Sequence, residues 1–165
     1  MKDNLRVLLT ELQAEFAELG DPMEAPARPA ELRKLRDECE ARFSYTLPSA
    51  YLELLGLHDG LACNGIQLYA SEAVVEPTES GRPKYLKRGL VEANEVWRDF
   101  EPNRDYIVFA ESGSDLYQHN LAANRFEVAD RVGRTVFNSF ATAEELFELL
   151  FNHMLDRYGV EENEA

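Results

Sequence analysis

Leu5, Leu8, Leu9, Leu12, Phe16 and Leu19 recur at the three-and-four spacing of one helical face, which predicts a helix over 4–19. Gly20 and then Asp21-Pro22 supply its stop. The stretch DPMEAPARP is punctuated by prolines, which cannot donate backbone hydrogen bonds, and reads as a loop. A second helix is predicted over 30–43, with Leu32, Leu35, Cys39 and Phe43 inward and mixed charges outward. A short third helix opens at Pro48, whose missing N–H suits a first turn, and puts Tyr51, Leu54 and Leu55 on one face. Asp59-Gly60 and Asn64-Gly65 are turn dipeptides, and 66–69 reads as a strand.

Farther on, EPTESGRPK reads as a loop and RGLVEANEVWRDF as a helix carrying Leu90, Ala93, Val96, Trp97 and Phe100 inward. A meander follows: DYIVFAE, the turn ESGSD, the strands LYQHNL and RFEVAD about an Ala-Ala-Asn turn, and TVFNSF. Thr142 opens a last helix with Glu145 in capping-box register, and Ala143, Leu146, Phe147, Leu150, Met154 and Tyr158 form its inner face. Short strands at this spacing argue for an antiparallel sheet rather than βαβ units. The expectation is an α+β fold, a mainly antiparallel sheet flanked by helices. With no internal repeat or long linker, 1–165 reads as a single domain.

Charge alters this picture most. Thirty-one acids against 17 bases give a net charge of −14. A polyanionic nucleic acid is therefore a poor partner, and so is an anionic membrane. A basic protein is the partner such a field draws in. The hydrophobic share of 45% is enough for a core, and no apolar run approaches the ~18–20 residues that span a bilayer. Glu11 and Glu15 stand where a signal peptide needs an apolar stretch, so a cytoplasmic location is expected. Cys39 and Cys63 lack metal-ligand spacing and read as two small hydrophobes.

Little in the chain suggests local chemistry. His58-Asp59 is the one reactive-looking pair, but metal-dependent hydrolysis needs several more ligands, and His119 and His153 fall on other elements. A helix-terminal imidazole near the last carbonyls is the simpler reading of His58. ESGSD at 111–115 lacks both a nucleophile elbow and calcium-loop spacing. There is no P-loop, dinucleotide fingerprint, H-E-x-x-H or C-x-x-C, so no cofactor or metal is expected. Tyr51, Tyr69, Trp97, Phe109, Tyr117, Phe126, Phe137, Phe140 and Phe147 are assigned to core packing. Acids do gather. Between 141 and 165, seven stand against Arg157, a local −6, with Glu144, Glu148, Asn152 and Asp156 along one outward stripe and 159–165 as an acidic tail. Between 48 and 82, Glu53, Asp59, Glu72, Glu76 and Glu79 face only Arg82, a local −4.

The segment LPSAYLELLGLHDGLACNGIQLY at 47–69 resembles the signature of the SUKH superfamily, through Leu47-Pro48, Tyr51, Leu54-Leu55, Asp59-Gly60 and Gly65-Ile66. YIVFAESGSDLYQHNL is similar to that family's strand, polar turn and second strand. SFATAEELFELLFNHML resembles its closing helix at Ser139, Phe140 and Phe147. The match covers 32–155, leaving 1–29 as an added helix and loop, and DGLACNGIQLY looks closest to the YrhA-like bacterial branch. A second turn dipeptide departs from the family's usual single Asn-Gly. The resemblance implies an α+β fold and, in bacteria, immunity proteins that neutralise toxins by binding. A basic toxin domain is thus the expected partner, with Glu53, Asp59, Glu72, Glu76, Glu79, Glu111 and Asp115 as contact candidates. The alternatives are a regulatory adaptor for a cellular protein and a hydrolase built on His58-Asp59.

Overall fold

The computed structural model describes residues 1–158, so the acidic tail at 159–165 lies outside the described residues. The chain runs α1 (Asp3–Leu19), α2 (Pro29–Phe43), α3 (Ser49–Leu55), β1 (Leu61–Cys63), β2 (Ile66–Leu68), β3 (Val74–Glu76) and β4 (Lys84–Lys87). It continues through α4 (Leu90–Arg98), β5 (Tyr106–Glu111), β6 (Asp115–Asn120), β7 (Arg125–Asp130), β8 (Val136–Phe140) and α5 (Ala143–Met154). Six strands form one antiparallel sheet in the order β1-β2-β5-β6-β7-β8, and β3 pairs with β4 as a separate ribbon. This is the expected α+β class.

Local signals place most of these elements. Gly20 ends α1 in the left-handed region at φ 74°, its N–H turned back to the Ala17 carbonyl at 3.2 Å. Thr142 caps α5 by accepting from the Glu145 N–H, as its spacing predicts. Asn64 and Gly65 both take positive φ, 51° and 77°, in a two-residue turn whose twist suits a hairpin. That turn folds Leu61–Cys63 onto Ile66–Leu68, so β1 is a strand that sequence periodicity did not reveal. β3 and β4 flank the expected loop at 76–84, in segments to which the sequence assigns no element. Every residue of β3 is exposed, so no alternation marks it.

Strand register sorts the core. Ile107, His119, Phe126 and Phe140 are cross-strand neighbours on one face, with Tyr117 and Val128 beside them. Phe109 joins that face at an irregularity between Val108 and Ala110. α3 and α5 press on it. Phe109 meets Tyr51 with ring centroids 5.2 Å apart and Phe147 at 5.6 Å. α1 lies on α5 and buries Leu5, Leu9 and Leu12. The opposite face carries Val108, Gln118 and Glu127, all buried, with Gln118 and Asn120 donating to the two Glu127 oxygens at 3.2 and 3.3 Å.

Several inward assignments need correction. α4 buries Leu90, Val91, Ala93 and Asn94, leaving Val96 and Phe100 exposed. The cause is Asn94, whose amide donates to Val108 O and accepts from Val108 N at 2.8 Å, completing β5 where β2 has run out. Phe137 sits beside a register shift on an outer strand and is 56% exposed. Tyr158 lies past the end of α5, exposed, and stacks on His153 at 4.4 Å.

The stripe read as outward on α5 is half-buried at Glu144, Glu148 and Asn152, because α1 packs along α5 and its Asn4, Val7 and Leu8 line a shared hollow with Glu148 and Asn152. Burial there raises the Glu148 carboxyl above its usual pKa; nearby Lys2 opposes this, and Glu145 and Glu144 reinforce it. A carboxyl whose folded pKa is raised favours folding more as it takes up its proton. Glu148→Gln is therefore expected to melt above the parent at pH 7. The gap should close as pH falls through the raised value, which paired thermal melts at pH 7 and pH 4 will read.

Candidate functional site

His58 and Asp59 follow directly on α3, and the geometry gives both residues structural work. His58 Nδ1 lies 2.8 Å from the Glu24 carbonyl, which can only accept, so the ring proton sits there. Nε2 is left to accept from the Gln13 amide at 3.0 Å. The Asp59 N–H donates to Ala25 O, and the Ala27 N–H donates to Leu55 O. Together these bonds lash the proline-rich loop onto the end of α3. The Asp59 carboxylate points inward and is only 6% exposed. It accepts from the Ser71 N–H at 2.8 Å and hydroxyl at 2.9 Å, and Lys87 Nζ lies 3.5 Å away. Gly60 follows at φ +93°, where a Cβ would stand 3.1 Å from that of Ala70. The corner is a brace between α3, the loop and the end of β4.

The other histidines are also engaged. His119 Nε2 donates to Asn124 Oδ1, its Nδ1 accepts from the Tyr45 hydroxyl, and the ring stacks on Phe126 at 4.0 Å. Burial lowers its pKa, Asn124 and Glu127 opposing. His153 is buried, with Nδ1 2.7 Å from the Tyr117 hydroxyl. Cys39 is buried and burial pushes its thiol up to about 12. Half-buried Cys63 donates to Met154 O. Among the described residues, no three His, Cys, Asp or Glu converge as metal ligands.

The contact candidates are divided among separate partners rather than gathered into one field. Asp59 does not present its carboxylate to solvent, because Ser71 and Lys87 hold it inside. Glu111 is likewise drawn in, its side chain 12% exposed between Arg88 at 3.7 Å and Arg131 at 3.3 Å. Glu53 meets the amino group of Met1 at 2.8 Å, and Glu72 meets Lys34 at 2.9 Å. Glu76 pairs with Lys84 at 3.8 Å across the ribbon, while Glu79 at its tip is exposed. Asp115 opens β6, half-buried, with its N–H on Ser112 Oγ.

Unpaired charge lies elsewhere. Glu15, Glu18 and Asp21, on the last turns of α1 and the loop after it, are exposed and take part in no ion pair among the described residues. Asp21 lines a groove of about 280 Å³ together with Phe16, Pro22, Glu24, Leu61 and Ala62, and Glu15 and Glu18 stand on the same end of α1. A smaller hollow of about 40 Å³ adjoins it past Ala62, toward Gln67, Leu68 and Leu86. Between them runs β1, the terminal strand of the sheet. Sequence reasoning missed this site, although a two-residue Asn-Gly turn ahead of a strand signals a partner strand behind it.

No family model matches the chain, and no curated protein matches it in sequence. The likeness to SUKH proteins rests on the motifs quoted above. No helix among the described residues is long and apolar enough to cross a membrane.

Proposed function

We propose that this chain is a non-catalytic binding module whose acidic surface docks on a basic protein. A toxin domain, neutralised by direct contact, is the class that the SUKH resemblance suggests. The observation that carries the reading is the distribution of charge. The histidines and Asp59 are bound into the framework, whereas Glu15, Glu18 and Asp21 stand unpaired beside an open groove in a chain of net charge −14. Such a field speeds encounter with a cation and weakens as salt screens it over about 8–10 Å.

The test is association kinetics against a panel of purified cationic toxin domains at 50 and 300 mM salt. At least one should bind, with an association rate that falls with salt. Reversing Glu18 and Asp21 to Lys should slow that rate several-fold. The same change at Glu72 and Glu76 should do less, since Lys34 and Lys84 already offset those carboxylates. A panel that binds nowhere, or equally well after reversal at Glu18 and Asp21, counts against the reading.

A further inference from the structure

An antiparallel strand offers its main chain to either side in alternate pairs. Cys63 and Ile66 flank a two-residue turn and form a hydrogen-bonded pair. The next pair, Ala62 with Gln67, is then non-hydrogen-bonded, and Leu61 with Leu68 bonds again. The Ala62 N–H and C=O therefore point away from β2, and Ala62 is exposed. Sheet edges are normally blunted by a charge, a proline or a bulge. At the far edge, β8 is broken by a register shift against β7. β1, Leu-Ala-Cys, carries no charge, proline or bulge, and its protection is its length of three residues.

The two flanks of β1 differ in chemistry. Ala62 shares its face with Gln67 and Glu111, and on that side lies the small apolar hollow under Leu86. Leu61 and Cys63 face the helices, where the larger groove opens between Phe16 and Pro22 with Asp21 and Glu24 in its lining. Glu15 lies near enough to Cys63 to raise its thiol pKa, after burial.

We propose that the outer edge of β1 accepts an extended segment of a basic partner as a seventh strand of the sheet. The partner residue opposite Ala62 is aliphatic and meets Leu86. The residues before and after it are Lys or Arg and meet Asp21 and Glu15. A second copy of this chain is a poor occupant, because the same acids would face each other. The proposal rests on the acidic-surface reading and specifies where and how the partner is held.

The probe is a blocked peptide, Lys-Val-Lys-Val-Lys-Val-Lys, titrated into the ¹⁵N-labelled full chain. Two comparators have Glu for Lys, or N-methylated valines with unchanged charge. The first peptide should bind, shifting and protecting the Ala62 amide, and each comparator should bind at least tenfold more weakly. Ala62→Pro removes only the outward N–H, which an edge strand tolerates, and should weaken binding at least tenfold. The N-methylated peptide asks the same question with the protein unaltered, should that variant fail to fold. Equal binding by the N-methylated peptide, or perturbation that spares Ala62, overturns strand addition. If Glu18→Lys with Asp21→Lys abolishes binding while Ala62→Pro does not, the acidic surface stands and the added strand falls. If neither the cationic peptide nor any cationic toxin domain binds, both fall.

Discussion

Replacing Phe109 by alanine is expected to remove about 3–5 kcal/mol of stability, the range for truncating a fully buried aromatic. The ring has no solvent exposure and is the hub of the aromatic core. Tyr51 and Phe147 lie on it at 5.2 and 5.6 Å, and Tyr45 and Phe126 each at 6.5 Å. These neighbours come from α3, α5, the segment before α3, and β7, so no single element can relax into the space left behind. A rigid void loses contacts on all its walls as well as the transfer energy of the ring. Domains hold only about 5–15 kcal/mol in total, so the variant will be close to unfolding at 37 °C. Urea denaturation at 25 °C reads the loss as a lower midpoint at unchanged slope. Phe137→Ala is the control, because an exposed phenylalanine on an outer strand should change stability by no more than about 0.5 kcal/mol. If both variants lose the same amount, the aromatic hub is not what holds the sheet to its helices.

That contrast also shows what the sequence could express. Helix periodicity placed α1 within one residue of its observed start, because one face is buried along most of its length and Gly20 gives a definite end. Periodicity failed on α4. There the decisive side chain is polar: Asn94 is buried to complete β5, turning Val96 and Phe100 outward. Strand period sends Phe137 inward or near it, and nothing local announces the register shift that turns it out. The pairing of the acidic candidates is hidden for a related reason. Counting charges along the chain cannot show that Lys34 reaches Glu72, 38 residues away, or that Arg88 and Arg131 close on Glu111. The open edge at β1 was legible in principle, since Asn64-Gly65 between two short apolar runs specifies a hairpin. Its position at the end of the sheet depends on strand order, which no local pattern encodes.

Asp59→Ala is expected to cost about 3 kcal/mol, within the range for removing one partner of a buried ion pair. The carboxylate holds the Ser71 N–H and hydroxyl, and both belong to a buried residue that water cannot easily reach. Lys87, one-fifth exposed, would keep the backbone carbonyl of residue 59 at 3.2 Å and, as its one carboxylate, Glu24 at 3.6 Å. Asp59→Asn should cost less, since one acceptor remains for the Ser71 N–H. Adding Lys87→Met to Asp59→Ala should recover part of the loss by removing an ammonium that has lost its buried carboxylate, a coupling that a double-mutant cycle in urea measures. The sign of the first effect also separates two roles for His58-Asp59. Groups held in place for catalysis commonly burden the fold, so their replacement tends to leave stability unchanged or improve it. A carboxylate that joins the end of α3 to Ser71 and β4 has the opposite sign. Asp59→Ala with undiminished stability would therefore restore the pair as a candidate for chemistry, whereas a loss of the expected size marks it as the fastening that holds the rim of the acidic groove in place.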